Sequence, residues 1–273
     1  MISSTANSKV KQVVAWQTKA KERKKDDVFI VEGLRMFEEA PLTWMEEVYV
    51  SSKCLASLCD GVGDREKNIL HKLKQVSYEE VTDEVFAKMS DTQTPQGILS
   101  VLRRPSYTLG DVLGKSGKPL LMILEDLQDP GNLGTILRTG EGAGISGIIM
   151  SKDTVDVFNP KVIRATMGSI YRMPFFYVED LKNLLDTLHI EGIETYAAHL
   201  QGETYYDSFD FCKGCAFLIG NEGNGLKKET ADRAKNYLKI PMEGQVESLN
   251  AAIAASLLMY EAHRQRFIEN RNK

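Results

Sequence analysis

120-LLMILEDLQDPGNLGTILRTGEGAGISGIIMS-151 holds two continuous apolar runs with a helix-forming stretch between them. Residues 120–124 are apolar throughout and bounded by polar neighbours, the pattern of a strand buried on both faces. Pro130-Gly131 then punctuates the chain and Asn132 supplies an N-cap side chain. Leu133, Ile136, Leu137 and Ala143 carry a helical stripe to a stop near Gly144. The stretch therefore predicts strand, helix, strand, the repeating unit of a parallel α/β sheet. Two features exceed what such a unit needs. One is the polar turn of Glu125, Asp126, Gln128 and Asp129 at a strand's carboxyl end, where open α/β sheets collect ligands; the other is Arg138, within a short helix.

The same alternation continues downstream. Asn159-Pro160 pairs an N-cap with a proline at the first helical position, predicting a helix over 161–170. Strands are expected at 175–178, 194–199, 215–219 and 237–240, with a helix at 180–189. A glycine-rich loop at 220–226 precedes a Lys- and Glu-rich helix, and Ser248 is expected to cap a long helix to about 267. Upstream, strands are predicted at 28–31, 46–51 and 98–102 and helices at 8–25, 34–40 and 52–59; Ser77 is expected to cap a helix over 78–88 or over part of that stretch. Residues 105–118, PSYTLGDVLGKSGK, are rich in turn formers and read as a linker. Two domains follow, 1–104 and 119–273.

The composition, 42% apolar and 26% charged over 273 residues, is that of a chain able to bury a substantial core. The amino terminus lacks the basic-then-apolar pattern of a signal peptide, and the most apolar stretch, 249–260, is too short to cross a bilayer, so a cytoplasmic location away from membranes is expected. Four cysteines are too few for a disulfide scaffold. Cys212 and Cys215 have C-x-x-C spacing but no second ligand pair elsewhere, so they read as packed thiols and no metal is expected. The net charge of −4 hides an asymmetry: residues 1–25 carry seven bases (Lys9, Lys11, Lys19, Lys21, Arg23, Lys24, Lys25) against one acid, Glu22. Such a cluster is an electrostatic footprint for phosphate.

Three blocks carry chemistry. In the first, Gly140, Gly142 and Gly144 imitate a dinucleotide fingerprint, but they close a helix where that fingerprint opens one, so close packing and C-capping account for them. In the second, GNEGNG at 220–225 follows a buried strand, lets the backbone approach a ligand, and offers one carboxylate, Glu222. The third, IPMEGQVESLNAA at 240–252, leaves the sheet at Pro241 and enters an otherwise apolar helix through Ser248 and Asn250. That helix needs covering on every side, by its own sheet and by a second subunit.

In this order and spacing, NLGTILRT, FLIGNEGNGL and IPMEGQVESLNAAIAAS resemble the three signature motifs of the SpoU (TrmH-type) branch of the SPOUT RNA methyltransferases. The resemblance covers residues 119 to about 266. The N-terminal half is similar, more loosely, to the ribosomal-protein-type α/β substrate-binding domain that many members carry, including Phe29–Gly33. The resemblance implies a homodimeric enzyme with a C-terminal α/β trefoil-knot domain containing a parallel sheet, preceded by a smaller α/β RNA-binding domain. It would move a methyl group from S-adenosylmethionine to a ribose 2′-hydroxyl of structured RNA, and the separate N-terminal domain favours ribosomal over transfer RNA. The alternative is a non-catalytic RNA-binding or ribosome-assembly protein on the same scaffold.

By motif match, the donor pocket would include Ala197, Ala198, His199, Leu218, Ile219, Gly220, Ile240, Met242, Ser248 and Leu249, and the catalytic side Asn132, Arg138, Glu222 and Asn250. Lys9, Lys11, Lys19, Arg23, Lys24, Arg138 and Arg164 would face RNA. A guanidinium stays protonated, so Arg138 is read as gripping phosphate and the developing alkoxide, with the proton leaving to that phosphate, to Glu222 or to water.

Overall fold

Every residue of Leu120–Leu124, Gly147–Ser151 and Cys215–Ile219 is buried, as continuous apolar runs require of central strands in a sheet covered on both faces. The computed structural model describes residues 1–114 and 117–271. Its chain divides into two compact units, residues 1–106 with 156–171, and residues 107–155 with 172–273.

The first unit is built on β1 (Val28–Glu32), β2 (Met45–Ser51), β3 (Tyr78–Val81) and β4 (Ile98–Arg103), in the order β1-β4-β2-β3. β4 is antiparallel to β1 and β2, whereas β2 and β3 are parallel. Side chains alternate across this sheet. Val48, Val50 and Ile98 meet Phe37, Leu58, Ile69 and Leu73 on one face; Tyr49, Leu99 and Val101 meet Val10, Val13, Trp16 and Phe86 on the other. Only part of the stretch 78–88 is helical: Tyr78–Val81 is strand β3, and the helix that follows, Asp83–Met89, is capped by Thr82 rather than Ser77. Parallel pairing with β2 overrides the local preference for a single helix. The basic N-terminal stretch is likewise two helices, Ser8–Thr18 and Ala20–Asp26, separated at Lys19 in extended conformation.

Residues 156–171, which the sequence places in the second domain, complete the first. Phe158 packs on Phe29 with ring centroids 4.9 Å apart, the Arg104 guanidinium lies 4.4 Å from the Phe158 ring centre, and the Tyr171 hydroxyl donates to the Met36 carbonyl at 2.8 Å. The segment's helix, Pro160–Thr166, starts at the Asn159 cap as expected but ends early, at Met167 in the left-handed region.

The second unit contains β5 (Leu120–Leu124), β6 (Gly147–Ser151), β7 (Phe175–Val178), β8 (Glu194–Ala198), β9 (Cys215–Ile219) and β10 (Asn236–Leu238). They form one sheet in the order β10-β8-β9-β5-β6-β7, with each neighbouring pair parallel. The chain runs outward from β5 to β7, then returns to lay β9 against β5. The carboxyl ends of those two strands therefore adjoin at a topological switch point, where doubly wound sheets bind ligands. The helix Ala251–Arg271 packs on Pro130–Ala143. A Cβ on Gly140 would sit 2.6 Å from Ile145 Cδ1, just past the helix end, and 3.5 Å from Met259 Sδ on the last helix, and Gly144 caps its helix at φ 71°, so the two glycines serve packing and helix termination. The stretch expected as a linker, 105–118, holds the helix Leu109–Leu113, closed by a Thr108–Asp111 capping box and buried through Val112 in this unit's core. Residues 115 and 116 of that stretch, and 272 and 273 of the expected second domain, lie outside the described residues. Among the described residues no helix is long and apolar enough to cross a membrane.

Candidate active site

Two helix caps decide which polar groups are available at the switch point. The Pro130–Ala143 helix is capped by Asp129, which accepts from the Asn132 amide at 2.7 Å, and not by Asn132 as the sequence suggests. The last helix is capped by Asn250, which accepts from the Ala252 and Ile253 amides at 2.9 and 3.2 Å, and not by Ser248. The Asn132 side chain is thus spared for a longer-range role.

It fills that role between two partners. Asn132 Nδ2 donates to Glu222 Oε1 at 3.0 Å, and Asn132 Oδ1 accepts from Asn250 Nδ2 at 2.9 Å. The carboxylate can only accept and the helix amides can only donate, so both asparagine amides have one permitted orientation. Glu222 also accepts from the Gln128 amide at 3.0 Å and the Asp129 amide at 2.9 Å. Burial pushes its carboxyl up, but those backbone donors and Asn132 outweigh burial and hold it below the ordinary glutamate value. Three residues far apart in sequence, Asn132, Glu222 and Asn250, are therefore locked into one chain of hydrogen bonds.

Beside this chain opens a cavity of about 330 Å³, walled by the loop after β9, the end of β8, and the segment from β10 into the last helix. Its size is that of a pocket for a nucleoside-sized ligand. Ala198, His199, Ile219, Gly220, Ile240, Met242, Ser248 and Leu249 line it, as the motif match implies. Ala197 and Leu218 do not: each is fully buried in the core one residue further in, because a strand covered on both faces offers no side chain to a pocket until it ends. The sequence reading also misses Lys239, Glu247 and Ala254, which line the wall. Ala251 and Ala254, spaced one helical turn apart, are the signal that could have found that face. At Gly220 a Cβ would lie 2.1 Å from the Gly225 carbonyl carbon and the Leu226 nitrogen, so only glycine permits the loop to fold back this tightly. Asn221 and Gly225 close it with paired backbone bonds of 3.0 and 2.9 Å.

Arg138 stands apart from this constellation. It is exposed on the same helix, about 9 Å along the axis from Asn132 at the usual rise per residue, and does not line the cavity. It forms no ion pair with another described residue.

The expected RNA-facing residues divide similarly. Lys11, Lys19 and Lys24 are exposed, whereas Lys9 pairs with Glu79 at 2.6 Å and Arg164 with Asp91 at 2.6 Å. Arg23 is a correction: its side chain is 4% exposed, donating to the Trp16 carbonyl at 2.8 Å and to Asp156 at 2.7 Å. It braces the interior of the first unit and is closed to a large ligand. Cys212 and Cys215 are free thiols, and Cys215 is buried, where burial pushes its thiol up to about 12.

Residues 119–260 match the SpoU rRNA Methylase family. The chain belongs to that family. It is a methyltransferase of the SpoU type, with S-adenosylmethionine as its methyl donor. Residues 7–100 match the MRM3-like substrate binding domain. The chain is 32% identical to the 23S rRNA (guanosine(2553)-2′-O)-methyltransferase RlmP of Bacillus subtilis, over 95% of this chain and 97% of that protein. Its fold is shared by the AdoMet-bound rRNA methyltransferase from Sinorhizobium meliloti, with 30% identity, 96% of this chain and 97% of that chain covered, and a TM-score of 0.81. A further crystal structure, of an RNA 2′-O ribose methyltransferase, matches at 29% identity over 97% of this chain and 99% of that chain, with a TM-score of 0.81.

Proposed function

We propose that this SpoU-family chain methylates a ribose 2′-hydroxyl of ribosomal RNA, with the donor in the cavity beside β9. The observation that carries the reading is the Glu222–Asn132–Asn250 chain beside a nucleoside-sized cavity that Glu222 itself lines. The residues present fit the donor. The walls are largely apolar, and the backbone of 240–249 makes no hydrogen bond to another described residue, leaving its amides and carbonyls for a ligand. A sulfonium methyl is already activated for displacement, so the protein's task is chiefly alignment. Asn132 and Asn250, held rigid by Glu222 and a helix N-terminus, fix the wall against which a ribose is set. Arg138 supplies the cation for the flanking phosphate and the developing alkoxide.

The working unit is a homodimer in the cytoplasm, where ribosomal RNA is found. Ile253, Leu257 and Tyr260 are 52%, 38% and 50% exposed at helical spacing on the last helix, and Tyr206 extends the patch. A second copy of this face covers it by two-fold symmetry. Leu257→Arg is expected to convert a dimer to a monomer in sedimentation, and a wild-type protein already monomeric would remove the dimer from the reading.

Calorimetry with S-adenosylmethionine is expected to give saturable binding that Ala254→Trp abolishes by filling the cavity. Mapping ribose methylation over total RNA from a strain lacking this chain is expected to show the loss of one ribosomal 2′-O-methyl group. An unchanged ribosomal map would overturn the assignment.

A further inference from the structure

Glu125 lies at the end of β5, 3% exposed, and takes no part in the hydrogen-bond chain of Glu222. Its carboxylate instead reaches the far end of the loop that walls the donor cavity. Oε2 accepts from the Lys227 amide at 2.8 Å and Oε1 from the Thr230 hydroxyl at 2.6 Å. Its own amide donates to the Ile219 carbonyl at 2.9 Å, at the point where the loop begins. One residue thus fixes both ends of the stretch 220–226.

The residues after Glu125 complete the attachment from the other side. The Asp126 carbonyl accepts from Asn221 Nδ2 at 2.8 Å, while the Gln128 and Asp129 amides hold Glu222. The two strand ends are therefore clasped reciprocally: a carboxylate from the β9 loop is held by the β5 turn, and a carboxylate from β5 is held by the exit of the β9 loop. Burying a carboxylate is costly unless donors compensate it, and an apolar side chain would fill the same space without that cost. What the carboxylate adds is placement of the loop exit. Leu226, immediately before Lys227, is buried and lines the cavity, so the position of the exit sets the cavity's wall.

We infer that Glu125 is a positioning residue for methyl-donor binding, acting through Lys227 and Thr230 on the loop 220–226. The inference rests on the donor occupying this cavity, which the Ala254→Trp control tests independently. Glu125→Gln keeps the size and removes the charge from a bond of the strong, charge-assisted kind. The expected result is a donor KM raised about tenfold, with kcat within twofold and RNA affinity unchanged. Thr230→Val, which leaves the buried carboxylate and removes one donor, is expected to raise donor KM severalfold. Thr230→Ser restores the hydroxyl and is expected to return KM to the wild-type range. The double variant Glu125→Gln with Thr230→Val is expected to raise donor KM by less than the product of the two single effects, since both changes act on the Glu125–Thr230 contact. If Glu125→Gln and Thr230→Val lower the melting temperature while donor KM stays within twofold, Glu125 is a structural brace only. If Ala254→Trp leaves donor binding intact, it is the cavity assignment that fails.

Discussion

Replacing Arg138 by alanine is expected to lower kcat about a thousandfold, the scale seen when one preorganised donor to a developing oxyanion is removed. Donor affinity is expected to stay at the wild-type value, because Arg138 lies outside the cavity. The side chain is exposed and forms no ion pair with another described residue, so its removal leaves no buried charge and no hole. Melting temperature should therefore not move. Arg138→Lys keeps the positive charge but loses the planar fork, and is expected to retain a measurable fraction of the rate. Loss of donor binding in Arg138→Ala would assign the residue to the cavity and overturn this role.

The proton acceptor is narrowed by the same geometry. Of the acceptors open at the sequence level, Glu222 is the one the structure disfavours. Its carboxylate is occupied by two backbone amides and Asn132, and those donors hold its pKa below the ordinary value of 4.5. A carboxylate depressed in this way stabilises the fold above its unfolded pKa and ceases to do so as pH falls through its folded pKa. Glu222 is accordingly charged across the neutral range, and its contribution is lost only in acid, below about pH 4.5. In a rate profile from pH 6 to 9, Glu222→Gln is expected to lower the rate at every pH without removing an inflection. An acidic limb that disappears in Glu222→Gln would restore it as the base. On the proposed role of Arg138, the acceptors left for the 2′-hydroxyl proton are water and the RNA phosphate assigned to that arginine.

Sequence reading succeeded where burial alone dictates pattern. β5, β6 and β9 are buried at every residue, and a continuous apolar run between turn formers has few other folds available. It failed where tertiary partners choose between equal local options. Asp129 and Asn132 both can cap a helix, as can Ser248 and Asn250; the outcome is set by Glu222 and by each other, tens of residues away. The strand β3 forms because β2 lies parallel to it, a partner invisible in the run Tyr78–Val81. Periodicity found the helix following Asn159-Pro160 but had no means of telling which core Phe158, Val162 and Ile163 enter. Eight of the residues named by the motif match line the cavity, whose walls are loop ends close in space, whereas Ala197 and Leu218 lie one residue deeper in their strands.

The second large effect concerns RNA, and the membership of residues 156–171 changes how it must be tested. Deleting residues 1–104 would strip the cover from Phe158, Val162 and Ile163, all buried with the first unit, so lost RNA binding in that truncation would report unfolding as readily as lost contacts. Point reversals avoid the difficulty. Arg23 turns inward to the Trp16 carbonyl and Asp156, which leaves Lys21, Lys24 and Lys25, spaced three and four residues apart, with Lys19, on the exposed side. Changing these four lysines to glutamate is expected to weaken RNA binding about a hundredfold near 0.1 M salt. It is also expected to flatten the slope of log K against log salt by roughly 3, at 0.7 to 0.9 for each phosphate contact. Donor affinity and melting temperature are expected to hold, since none of the four side chains is buried. Arg23→Glu should behave oppositely, losing stability by placing a second carboxylate beside Asp156 in the interior. Equal salt slopes for the quadruple variant and the wild type would place the phosphate contacts on another surface, because an exposed charge that releases no counterion is not at the RNA interface.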